Sequence, residues 1–115
     1  MFLFNRAATA EYENIDTNAY KADYFTPKAD HVLVDVRTTE EYNGGHIPGA
    51  INIPLHLLAQ RVNEIPKGKP VIVVCATGNR SRSGASTIRQ AGYEDVYNLT
   101  GGTMRWMMSG SPIDR

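Results

Sequence analysis

With 115 residues the chain has the size of one domain around one core, burying roughly 60–70% of the surface its unfolded form exposes. A composition of 42% apolar and 21% charged residues excludes disorder, collagen-like repeats and a disulfide scaffold. Twelve basic residues balance twelve acidic ones, so no global field recommends nucleic acid or an anionic membrane as partner, and any anion preference must be local.

The opening Met1 to Arg6 is too short and too soon charged for a secretory segment, and the lone cysteine cannot form an intramolecular disulfide. No apolar run approaches the ~20 residues that span a bilayer. A soluble, cytoplasmic protein without a transmembrane helix is therefore expected. Residues 1–30 are expected to form an N-terminal segment packing onto a domain that runs over residues 31–115. Within that segment, Asp16-Thr17-Asn18 is suited to cap a short helix carrying Ala19, Tyr20 and Tyr24.

Val32 to Val36 is an apolar, β-branched run of the kind that makes a strand buried on both faces. Gly44-Gly45 and Pro48-Gly49 punctuate the following loop, and Ala50 to Ile53 reads as a second short strand ended by Pro54. Leu55, Leu58 and Val62 then recur at helical spacing until the turn Pro66 to Pro70. Val71 to Val74 repeats the buried-strand signature. Ser81 to Gln90 predicts a helix with Ala85 and Ile88 on one side, Arg82 and Arg89 on the other, and Gly92 at its end. Val96 to Leu99 is a further strand, and Gly101-Gly102 leads into a short helix over Thr103 to Met108. Met104, Trp106, Met107 and Met108 are expected to pack onto the sheet rather than form a docking surface. Strands alternating with helices predict an α/β domain on a mostly parallel central sheet, with its ligand site beyond the carboxyl ends of the strands.

Cys75 falls at such an end, followed by Ala76-Thr77-Gly78-Asn79-Arg80-Ser81 before a helix. Backbone N–H groups in a tight loop converge on one point, and the following helix adds positive potential there. A cysteine at the base of that cradle has its thiolate favoured. Gly78 permits a positive φ, Arg80 offers a planar cationic fork for an oxyanion, and Ser81 is placed to cap the helix. A free cysteine is also a small apolar residue that is often simply buried. The polar loop after it, poor core material, favours the reactive reading.

These residues resemble the rhodanese-like family from Val32 to Asp114, in three blocks. The first runs from Asp35-Val36-Arg37 through Glu40, Glu41 and Tyr42 to Gly45-His46-Ile47-Pro48-Gly49-Ala50-Ile51-Asn52-Ile53-Pro54. The second is the loop from Cys75 to Arg80. The third is Leu99-Thr100-Gly101-Gly102 through Trp106 to Gly110-Ser111-Pro112. The resemblance implies a single-domain sulfurtransferase in which Cys75 takes sulfane sulfur from a donor such as thiosulfate and becomes a persulfide. It then passes the sulfur to cyanide, a thiol, thioredoxin or a sulfur-carrier protein, without a cofactor. Cys75 and Arg80 would be catalytic, with Ala76, Thr77, Gly78, Asn79, Arg80 and Ser81 binding the donor. Several family members carry a charged or larger polar residue where this chain has Ala76. Related phosphatase domains place their arginine one residue further from the cysteine, which makes a wider cradle.

Asp35, Arg37, Glu40 and His46 read as structural charges rather than a relay, because sulfur transfer needs little proton traffic. His31, His46, His56 and Cys75 show no metal-site spacing, so no metal is expected, and the glycines at 44, 45 and 49 lack the Lys-Ser or Lys-Thr of a nucleotide loop. Two rivals remain: a phosphatase or arsenate reductase of related architecture, and a non-catalytic binding module.

Overall fold

The computed structural model describes residues 11–115. Five strands form one sheet in the order β1-β5-β4-β2-β3: β1 (Glu13–Ile15), β2 (Val32–Asp35), β3 (Ile51–Asn52), β4 (Val71–Val74) and β5 (Val96–Leu99). Every pairing is parallel, with Asp35 opposite Val74 and Asn14 opposite Asn98. Four helices connect them, α1 (Thr17–Tyr20), α2 (Thr39–Asn43), α3 (Leu55–Arg61) and α4 (Arg80–Gln90), and a fifth, α5 (Gly102–Met108), follows the last strand. A π-helical stretch over Lys21–Phe25 extends α1, and a 3-10 turn over Val62–Glu64 extends α3. The expected α/β domain on a parallel sheet is what the chain forms.

Alternation along the strands assigns the core to two faces. Val32, Val34, Val71 and Val73 turn to one face and pack with Leu58 of α3 and Ala85 and Ile88 of α4. Leu33, Ile72 and Val74 turn to the other, beneath Tyr20 of α1 and Trp106 of α5. Both faces of β2 and β4 are covered, which is why these strands are unbroken apolar runs. Gly84 lets α4 approach closely, since a Cβ there would lie 3.2 Å from Val73 Cγ1.

Three elements differ from the sequence reading. The edge strand β1 carries Glu13 and Asn14 in a polar, exposed register that gives no apolar signal. Helix α2 is one short turn held by a capping box between Thr38 and Glu41, with no buried residue to mark a core face. The methionines are a correction: Trp106 is fully buried, but Met104, Met107 and Met108 are 54%, 49% and 76% exposed. A seven-residue helix turns only one narrow stripe to the sheet, and Trp106 together with Thr103 fills it. Asp16 does cap α1, its side chain accepting from the Ala19 amide. The first ten residues of the expected N-terminal segment lie outside the described residues; of the remainder, β1 pairs with β5 and Tyr20 is buried.

Candidate active site

The connections leave β2 toward one edge of the sheet and β4 toward the other, so the loops after these neighbouring strands part and open a crevice at their carboxyl ends. Cys75 stands there. It keeps the parity of Val71 and Val73, which turns its side chain to the α4 face, and it is 1% exposed.

The loop wraps the sulfur. Gly78 donates its N–H to Cys75 Sγ at 3.1 Å, and the thiol donates to Ser81 Oγ at 3.3 Å. Burial alone raises the pKa of the thiol. The Ser81 hydroxyl and the amides of Ser81, Gly78 and Thr77 outweigh it and hold the thiol below its ordinary value. Gly78 adopts φ 105° to make this turn, and a Cβ there would press to 3.3 Å from the Gly101 nitrogen.

The first turn of α5 clamps the cradle from outside. Thr103 and Met104 donate their amides to the carbonyls of Cys75 and Ala76 at 2.9 and 3.0 Å. Gly102, at φ 62°, makes the approach possible, because a Cβ would lie 2.5 Å from the Ala76 carbonyl oxygen.

Arg80 begins α4, and its terminal nitrogens both donate to Glu41, at 2.8 and 3.0 Å. The guanidinium contact is the main reason the Glu41 carboxyl is held down at about 2. That ion pair, with side chains 40% and 36% exposed, bridges α2 and α4 beside the cradle, and the charge of Cys75 adds a smaller contribution to keeping Arg80 protonated. Below it, Arg37 forms a buried, bidentate pair with Asp35 and also donates to the Gly45 carbonyl at 2.7 Å. The structural reading of these two charges fits this placement. His46 is stacked on Tyr42, with Nδ1 2.8 Å from the Tyr42 carbonyl.

Of the loop residues 76–81, Thr77, Gly78 and Ser81 are brought to the Cys75 sulfur, whereas Arg80 is turned to Glu41. Ser81 is not the helix cap: Asn79 occupies that position without a side-chain cap bond, and Ser81, one residue inside α4 and fully buried, turns its hydroxyl to the sulfur and to Asn98. Thr77, Gly78, Asn79 and Arg82 line a polar recess with Asn14 and Asn98. Arg89 lies at the far end of α4, donating to the Tyr93 carbonyl. The sequence reading missed Glu41 as the partner of Arg80, and it missed both asparagines. The capping box at Thr38 places Glu41 at the start of a helix but does not point to Arg80, and nothing local marked the asparagines. Among the described residues no group of three or more His, Cys, Asp or Glu side chains could hold a metal, and no helix is long and apolar enough to cross a membrane.

A parallel α/β sheet presenting one cysteine inside a ring of amides, at the switch point of its strand order, defines a class of small domains built around a single sulfur. The chain belongs to the rhodanese-like domain family, whose family model matches residues 17–109. A sulfurtransferase of Allochromatium vinosum is 43% identical over 84 residues, which are 73% of this chain and 78% of that protein. The thiosulfate sulfurtransferase GlpE of Pseudomonas syringae pv. syringae is 39% identical over 75 residues, 65% of this chain and 71% of that one. Among solved structures, a rhodanese-related protein from Thermoplasma volcanium superposes with a TM-score of 0.79 at 30% identity, covering 90% of this chain and 98% of its own.

Proposed function

We propose that the protein is a sulfurtransferase that carries sulfane sulfur on Cys75. The observation that carries the reading is the amide and hydroxyl cradle favouring the Cys75 thiolate. Sulfurtransferase relatives at 39–43% identity support it. The thiolate attacks the outer sulfur of a donor such as thiosulfate. The donor's S–S bond breaks, sulfite leaves with the electron pair, and Cys75 holds a persulfide. Preorganised amides stabilise the anionic sulfur on either side of this step, and such donors act strongly where water is scarce. Arg80 attracts the anionic donor and the departing sulfite. A thiophilic acceptor, such as cyanide, a thiol or the thiol of a sulfur-carrier protein, then attacks the outer sulfur and returns Cys75 to its thiolate.

The four residues between Cys75 and Arg80 favour this chemistry over phosphoryl transfer, because related phosphatase domains have one residue more there and so a wider cradle. Intact-mass analysis after exposure to thiosulfate tests the reading: the protein gains one sulfur atom, and the Cys75→Ser variant gains none. An unmodified mass after each of several donors points to a binding module, and hydrolysis of an aryl phosphate points to a phosphatase; either result overturns the proposal.

A further inference from the structure

Behind the sulfur, the Ser81 hydroxyl of the cradle continues into a chain of hydrogen bonds whose outer members, Asn98 and Asn14, the transfer step does not touch. The Cys75 thiol donates to Ser81 Oγ at 3.3 Å, the Ser81 hydroxyl donates to Asn98 Oδ1, and Asn98 Nδ2 donates to Asn14 Oδ1 at 3.1 Å. Every donor points outward, from the buried sulfur to an exposed residue on the edge strand. Parallel register makes this possible, because Asn14 on β1 is the direct partner of Asn98 on β5, and Asn98 is only 2% exposed.

This direction suits a neutral thiol and conflicts with a thiolate. An anionic sulfur has no hydrogen to give, and stabilising it requires the Ser81 hydrogen. The hydroxyl has only one. If it turns to the sulfur while Asn98 keeps Oδ1 inward, two acceptors face each other in a buried site, which costs as much as an unmade hydrogen bond. Turning the Asn98 amide end for end removes the conflict. Nδ2 then donates to Ser81 Oγ, Oδ1 faces Asn14, and Asn14 turns its own Nδ2 inward to meet it. The thiol proton leaves to solvent, and no other covalent bond forms or breaks; the hydrogen bonds are exchanged one for one.

We propose that Asn98 and Asn14 are positioning residues whose paired amides reverse direction as Cys75 ionises, freeing the Ser81 hydroxyl to donate to the sulfur. The proposal rests on reading Cys75 as the working thiolate. Its test follows ionisation alone, so it stands or falls separately from sulfur transfer. The charged groups around the cradle are Arg80 with Glu41, the buried Asp35–Arg37 pair and Arg82 beside the two asparagines. None of them is altered in the test.

The measurement is a pH titration of thiolate ultraviolet absorbance, with the matching Cys75→Ser protein as baseline for the tyrosines. Asn14 is exposed, so its variants should fold. Asn14→Asp can only accept, which locks Asn98 in its outward direction, and the thiol midpoint should rise by about one pKa unit. Asn14→Ala leaves that end to water, which both donates and accepts, and should keep the parent's midpoint. The difference between the two variants should persist in 1 M salt, where the Debye length of about 3 Å screens an exposed carboxylate. It should vanish in a Ser81→Ala background. Equal midpoints for the two variants, a difference abolished by salt, or a difference that survives without the Ser81 hydroxyl would each overturn the proposal.

Discussion

Replacing Gly102 with alanine tests whether the first turn of α5 clamps the cradle. Gly102 has φ 62°, where an L-residue costs roughly 1–2 kcal/mol. Its Cβ would lie 2.5 Å from the Ala76 carbonyl oxygen and 2.6 Å from that of Cys75. Both are backbone atoms, so no side chain can swing away, and overpacking of this kind adds roughly 1–3 kcal/mol. The sum, about 2–5 kcal/mol, falls within the ~5–15 kcal/mol that holds small domains together, so the variant should fold but with a much lower margin. With a denaturant slope of about 1.5 kcal/mol per molar, the urea midpoint should drop by about 1–3 M. If relief comes from moving the loop rather than α5, the amides leave the sulfur and the thiol midpoint rises as well. A folded Gly102→Ala protein with the parent's urea midpoint and the parent's thiol titration would refute the clamp.

Arg37→Met leaves the fully buried Asp35 carboxylate without its guanidinium, which costs about 3–5 kcal/mol for a broken buried pair. Urea unfolding measures it, and a loss under about 1 kcal/mol would mean that the Arg37 amide alone satisfies the carboxylate. Inserting one glycine after Gly78 should widen the cradle and cut persulfide formation steeply, because donor stabilisation depends on hydrogen-bond reach. Thiosulfate turnover and aryl phosphate hydrolysis, measured together on the folded insertion variant, check this; sulfur transfer at the parent's rate would remove loop size as the selector of chemistry.

The sequence revealed the fold where burial writes a pattern. Val32 to Val36 and Val71 to Val74 are covered on both faces, so their composition announces them, and Leu58, Ala85 and Ile88 recur at helical spacing for the same reason. Cys75 was legible because a polar, glycine-containing loop after such a strand has few other uses. Strand β1 was not, since Glu13 and Asn14 sit at an edge in contact with solvent and are held by backbone pairing that any residue can make. Ser81 was misplaced by two residues: a serine before a helix and a serine in its first turn read alike, yet one caps and the other points into the core. Met107 and Met108 misled in the opposite sense, because apolar type predicts burial only where the helix is long enough to need a wide apolar face. Glu41 and Asn98 owe their roles to partners 39 and 17 residues away in sequence, across which no local spacing carries information.

The partnership of Glu41 with Arg80 bears on how an anionic donor is received. Both terminal nitrogens of Arg80 are engaged by a carboxylate, so an anionic donor of the proposed kind would meet a cation that is already paired. Acid does not release it. The Glu41 carboxyl is depressed from 4.5 to about 2, so the pair's contribution to stability is complete above pH 4.5 and is lost only as the pH falls toward 2. Side chains this exposed make that contribution small, about 0.5 kcal/mol after solvent screening. Substitution can do what acid cannot. Glu41→Gln keeps a residue able to complete the capping box with Thr38, so α2 should survive while the competing charge is removed. The KM for thiosulfate should then fall by about two- to fivefold with little change in kcat, because an interaction of about 0.5–1 kcal/mol no longer opposes donor binding. Arg80→Ala should raise the same KM, and Glu41→Gln should be nearly silent when added to it. The effect should also be flat from about pH 5 to 9, since Glu41 is ionised throughout that range. A Glu41→Gln protein whose KM rises as far as that of Arg80→Ala would show the reverse relation, in which the carboxylate holds the guanidinium where the donor needs it and does not compete for it.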